Sequence, residues 1–131
     1  MNNRLAGSSQ TSRQVGSQWE KAAESFLHKR GLITRKRNFF SRFGEIDLIM
    51  KDGEVLVFVE VRFRGNDRFG DGAETITVWK QSKLARAAMY FLSINSHYSQ
   101  KPCRFDVISV GRNQGKIEFD WIRNAFDSPS G

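Results

Sequence analysis

The stretch GEIDLIMKDGEVLVFVEVRFR, Gly44 to Arg64, decides how this chain folds. Asp52-Gly53 is a strong two-residue hairpin signal between two apolar runs. With that dipeptide as the loop, Lys51 stands opposite Glu54 and Leu48 opposite Val57. Ile46, Leu48 and Met50 then share a face with Val55, Val57, Val59, Val61 and Phe63. That face is wholly apolar, as a core-facing surface requires, and a slip of one residue would mix it with charges. Val55 to Val59 is continuously apolar, which predicts a central strand covered on both faces.

Working outward, Ser17-Gln-Trp-Glu20 matches a capping box, and Trp19, Ala22, Ala23, Phe26 and Leu27 follow at helical spacing. Gly31 supplies the stop, so a first helix is expected over 17–30. Leu32 to Phe40 reads as a first strand, followed by the hairpin strands Glu45 to Met50 and Glu54 to Arg64. Residues 65–76 hold three glycines and no period, which reads as a long loop. A second helix is expected from Val78 to Asn95 behind a Thr77 cap. Its Gln81, Leu84, Ala85, Ala88, Phe91 and Leu92 share one face. Cys103 to Val110 and Lys116 to Ile122 complete the strands, joined through Asn113-Gln-Gly115. The order α-β-β-β-α-β-β implies one α/β layer fold, with helices flanking a mixed central sheet.

At 131 residues the chain suits one domain. Residues 1–15 read as a flexible basic N-terminal tail, 16–126 as the domain, and 127–131 as a C-terminal tail. Apolar residues make up 39% and charged ones 27%, the balance of a soluble globular protein. No window resembles a membrane span and the N-terminus has no signal-like apolar core, so a cytoplasmic location is expected. The single Cys103 excludes an internal disulfide and a multi-cysteine zinc site. His28 and His97 are too few and too far apart for a histidine-rich metal site. The net charge is +7, which suggests either a polyanionic partner or simply a soluble surface.

The hairpin pattern also gathers acids. Glu45, Asp47, Glu60 and Arg62 fall on the face opposite the apolar set. Asp47 lies opposite Phe58 and diagonal to Glu60, roughly 7–8 Å apart at the backbone. Carboxylates so placed repel unless a cation neutralises them. Either Arg62 forms an ion pair or a hard divalent metal binds.

Gly44-Glu-Ile-Asp-Leu-Ile49, followed by Val57-Phe-Val-Glu-Val-Arg62 and Arg104-Phe-Asp-Val-Ile108, resembles the YraN-like family of small bacterial proteins. More widely, the chain is similar to restriction-endonuclease-like PD-(D/E)xK nucleases, particularly archaeal Holliday junction resolvases, from Gly16 to Val110. The resemblance implies a restriction-endonuclease-like α-β-β-β-α-β core. In it Asp47 would be the first acidic ligand and Glu60 the acid of the (D/E)xK motif. Glu20 would match the first-helix glutamate and Gln81 the glutamine of the second helix. Mg²⁺ or Mn²⁺ held by Asp47, Glu60 and the Val61 carbonyl would activate water and polarise the scissile phosphate. Glu20 would hold a metal-bound water or second cation, and Gln81 would position the nucleophile or phosphate. Resolvase-like relatives also imply a homodimer, although no segment of this sequence compels one.

Arg62 departs from the pattern by occupying the lysine position. A guanidinium stays charged at working pH, so Arg62 would orient water or stabilise developing negative charge, not act as a base. Three readings follow. The first is a metal-dependent endonuclease that hydrolyses phosphodiester bonds of DNA, branched or structured DNA included. The second is a nucleic-acid-binding protein that retains the fold without catalysis because of Arg62. An adaptor whose basic surface meets an acidic protein is the third.

Each candidate has a plainer alternative. For Glu20 the alternative is the capping box alone, and for Gln81 a local hydrogen bond in the first turn. For Asp47 the alternative is a polar strand residue paired to Arg62, and for Glu45 a strand-edge charge. Arg30, Arg35, Lys36 and Arg37 form a dense basic cluster. Lys80, Lys83 and Arg86 lie beside the acids, and Arg64 and Arg68 open the glycine-rich loop. All nine are candidates for nucleic-acid contact, against the alternative of a solvated face.

Overall fold

The hairpin closes one step later than its sequence suggests. In the computed structural model, which describes residues 12–66 and 76–127, Asp52 pairs with Val55 and Leu48 with Val59. The turn is therefore Gly53-Glu54, with Gly53 at a φ of 62°. Glycine at the first central position enters the left-handed region without steric cost, so Asp52 ends its strand and stays out of the turn. The whole register moves by two residues. Because side chains alternate with period two, Leu48, Met50, Val57 and Val59 still share a face.

The strands are β1 (Ile33–Ser41), β2 (Gly44–Asp52), β3 (Val55–Asn66), β4 (Cys103–Asn113) and β5 (Lys116–Phe126). They form one mixed sheet in the order β1-β2-β3-β4-β5. Among the described strands only the β3–β4 pair is parallel, and parallel neighbours need a crossover. Helix α2 (Val78–Ile94) supplies it. At the far end Asn113 pairs with Lys116, and Gln114 and Gly115 both take positive φ, 51° and 79°. The tight turn read at Asn113-Gln-Gly115 is thus present.

Helix α1 (Ser12–His28) starts five residues before the expected Ser17. Once nucleated, a helix extends at little cost through a segment without proline, so the capping signal is overrun and Ser17 lies inside. The C-terminus does follow the glycine rule. Gly31, at φ 98°, lets Leu32 N–H reach the Leu27 carbonyl and its own N–H reach that of His28.

The two helices cover opposite faces. Ala23 and Leu27 of α1 pack on Leu48, Met50, Val57, Val59, Ile108 and Val110. Leu84, Ala85, Ala88 and Phe91 of α2 pack on Ile49, Leu56, Phe58 and Phe105. β3 lies between them, buried on both sides as its unbroken apolar run implies. Ile46 departs from the expected face: it joins Phe39 and Ile49 beneath α2 while Leu48 lies beneath α1. Strict alternation therefore breaks between Ile46 and Leu48. The paired β1 segment contains Asn38 at φ 49°, a backbone conformation asparagine tolerates.

Candidate acidic pocket

The break in alternation builds the site. The β2–β3 ladder ends at Leu48 and Val59, and beyond it Asp47 Oδ2 accepts the Val61 N–H at 2.8 Å. The side chain thus takes the place of a ladder bond. Asp47 does not lie opposite Phe58, as the earlier register required; Ile49 does.

A cavity of about 330 Å³ opens here between the helices. Glu20 from α1, Glu45 and Asp47 from β2, Glu60 from β3, and Lys80 and Lys83 from α2 line it. Oxygens of Glu20, Glu45 and Asp47 lie within 4.8 Å of one another. Asn38 Nδ2 donates to Glu20 Oε1 at 2.9 Å and to Glu45 Oε2 at 3.0 Å. Gly44, at φ 146°, lies under the Lys83 stem, whose Cε would be 3.5 Å from an added Cβ.

The electrostatics are those of crowded acids. Burial, then the charge of Glu60, pushes the Asp47 carboxyl up to about 8, against the pull of the Val61 N–H; Glu20 and Glu45 add to the rise. Burial also lifts Glu60, while Lys80 and Arg62 restrain it. Lys80 Nζ lies 3.5 Å from Glu60 Oε2.

The expected residues are only partly brought together. Glu20, Asp47, Glu60 and Val61 meet in the cavity, and Glu45 joins them as a full member. With Ser17 inside the helix, Glu20 is not the partner of an N-terminal cap. Gln81 turns its amide to the Ile76 carbonyl at 3.0 Å, the local bond weighed for it, and does not line the cavity. Arg62 lines an adjoining groove with Glu60 and Lys80. Asn38 was missed; an asparagine on an edge strand carries no acid pattern, and only its positive φ marks it.

The basic candidates scatter. Arg30 lies over the Phe26 ring at 3.6 Å. Arg35 donates to the Tyr98 hydroxyl at 2.7 Å, and Arg37 pairs with Glu24 at 2.9 Å. Lys36 and Arg86 are exposed. The Arg64 side chain is 5% exposed and reaches Glu118 at 3.8 Å. Arg68 lies outside the described residues, as do most of the glycine-rich loop, residues 1–11 of the N-terminal segment and 128–131 of the C-terminal one.

Fold and pocket together define a class: an α/β protein whose mixed sheet parts at one point to hold converging carboxylates between two helices. No helix among the described residues is long and apolar enough to cross a membrane. The chain belongs to the uncharacterised protein family UPF0102, whose sequence model matches residues 19–110. A UPF0102 protein of Nitrosospira multiformis is 50% identical over 117 residues, 89% of this chain and 96% of its own length. One of Nitrosococcus oceani is 46% identical, over 88% of this chain and 94% of the relative. Another, of Pseudomonas aeruginosa, is 40% identical over 91% and 97% respectively. These matches bear out the family resemblance of the GEIDLI and VFVEVR motifs.

Proposed function

We propose that this protein is a metal-dependent nuclease acting on DNA, branched or structured DNA included. The observation that carries the reading is the convergence of Glu20, Glu45 and Asp47 oxygens within 4.8 Å, with Glu60 lining the same cavity. Carboxylate oxygens are the hard donors that Mg²⁺ and Mn²⁺ prefer, and burial, then the charge of Glu60, penalises the ionised form of Asp47, a penalty that a bound cation would offset. Asp47, Glu20, Glu45 and Glu60 would hold the ion; when bound, it supplies Lewis-acid activation of the phosphodiester. Asn38 would keep Glu20 and Glu45 in register through its two hydrogen bonds. Lys80 and Arg62 would offset the charge of a phosphate drawn to the pocket, and Lys83 would bind its approach.

The ion pair between Lys80 and Glu60 favours a second reading. A carboxylate already matched by an ammonium group has less need of a metal, and Arg62 stands where a lysine is expected. On that reading the protein binds nucleic acid without cutting it.

Calorimetry with Mg²⁺ and incubation with linear, flapped and four-way DNA separate the two. The nuclease reading expects Mg²⁺ binding and metal-dependent cleavage, both lost in Asp47→Asn. DNA binding without either outcome leaves the second reading.

A further inference from the structure

Trp79 stands in the first turn of α2 with 69% of its surface exposed. The core does not use it: α2 buries Leu84, Ala85, Ala87, Ala88 and Phe91 instead. Leaving an indole in water forgoes a large burial gain, so the ring's position asks for a partner. Its surroundings indicate the chemistry. Lys83 Nζ lies 4.4 Å from the ring centroid. A groove of about 390 Å³ runs from Trp79 past Thr77 and Arg62 to Glu60 and Lys80. Glu60 and Lys80 also wall the acidic cavity. A flat π surface, flanked by cations and continuous with the pocket, fits a ligand that is both aromatic and anionic. A nucleotide is such a ligand.

In an uninterrupted duplex each base face is covered by its neighbours, and only edges and phosphates are presented. An indole gains a stacking partner only where a base is unpaired. We infer that Trp79 is a stacking platform for an unpaired DNA base beside the acidic pocket, directing the protein to single-stranded or branched DNA. This rests on the nucleic-acid reading above, common to both of its forms, and does not require cleavage.

The test is fluorescence titration of the full chain in EDTA, with a single-stranded oligonucleotide and with a blunt duplex of the same sequence. EDTA removes any dependence on metal or cutting. Trp19 and Trp121 are partly covered by packing, so binding at Trp79 dominates the change in emission. The wild type is expected to show quenching by the single strand. Trp79→Ala should lose about tenfold in single-strand affinity, Trp79→Phe should keep most of it, and duplex affinity should hold in both. Circular dichroism confirms that the variants fold. Unchanged single-strand affinity in Trp79→Ala, or equal losses for single strand and duplex, overturns the platform. Cleavage assays in Mg²⁺ are scored apart: stacking without cleavage removes only the nuclease reading, and cleavage with unaltered Trp79→Ala binding removes only the platform.

Discussion

The Val61 N–H on β3 donates to Asp47 Oδ2 on β2 at 2.8 Å, one step beyond the last ladder pair of Leu48 and Val59. An acid thus closes the gap where two central strands separate. The same bond that finishes the sheet turns one carboxylate toward Glu60, Glu20 and Glu45, so structural and chemical roles of Asp47 are linked.

That linkage predicts opposite effects for two substitutions. The Asp47 carboxyl, at about 8, lies above its ordinary 3.8. Between those values the folded protein holds a proton that the unfolded chain has released, so the group's contribution to stability falls as pH rises through the window. In EDTA, Asp47→Asn keeps an acceptor for Val61 and removes the charge. It should gain about 1 kcal/mol at pH 8 and flatten the decline. Asp47→Ala orphans the N–H and should lose about 1–3 kcal/mol. Thermal unfolding across pH checks both, and an Asn variant that tracks the wild type throughout would refute the assignment.

Lys80 Nζ lies 3.5 Å from Glu60 Oε2, so on the proposed metal-binding reading it would compete with a divalent cation for that carboxylate. Its side chain is 41% exposed and that of Glu60 11%, so the pair is partly screened and worth about 0.5–1 kcal/mol. Lys80→Ala should therefore tighten Mg²⁺ binding by about two- to fivefold in calorimetry. If the proposed chemistry is present, cleavage should fall despite the tighter metal. Weaker Mg²⁺ binding in the variant would show that Lys80 does not oppose the ion.

Glu24 gives an acid-side prediction away from the pocket. Burial alone would raise its carboxyl, but hydrogen bonds from Arg37 and Thr34, with the charges of Arg37 and His28, outweigh burial and hold it below 4.5. The stabilisation is therefore present above the ordinary value and is lost as pH falls through the lowered one. Glu24→Gln should flatten the loss of Tm below about pH 4.5, which a melting series at acid pH would read. An unchanged acid limb would exclude Glu24 as its source.

Asp106 predicts a purely structural loss. It is 1% exposed. Its carboxylate takes Arg104 Nε at 2.9 Å, Trp121 Nε1 at 3.0 Å and the Asn124 N–H at 2.9 Å. Asp106→Ala leaves the Trp121 and Asn124 donors unmatched and Arg104 with Asp52 as its remaining acid, at a cost of about 2–4 kcal/mol. Urea unfolding should register that loss. Mg²⁺ affinity of the folded protein should stay constant, because Asp106 does not line the acidic cavity.

Much of this was legible in the chain. The VLVFV run marked the central strand, Thr77 the α2 cap, whose hydroxyl accepts the Lys80 N–H, and Gly31 the end of α1. The Asp47 and Glu60 motifs marked two walls of the cavity. Less legible were contacts between distant elements. Arg35 and Arg37 are two apart in a basic run, yet one reaches Tyr98 and the other Glu24. The register irregularity between Thr34 and Lys36 is part of how the run is divided. A local count of charges contains none of that information.

The sequence by itself determined most of the β2–β3 core, since a period-two pattern admits no slip of one residue without burying charge, but not that Ile46 crosses to the other face or that Phe63, on the expected apolar face, is 51% exposed. It left undetermined a slip of two, which preserves every face; the left-handed Gly53 in the closed turn chose between them. It also placed Asp47 and Glu60 on neighbouring strands, a consequence of hairpin connectivity alone. Only the tertiary structure decided that Glu20 and Glu45 join Asp47 through Asn38, and that Lys80 takes Glu60. Those contacts depend on how two helices seat on opposite faces of the sheet. That seating is set by the packing of Ala23, Leu27, Leu84 and Phe91, not by any residue of the pocket.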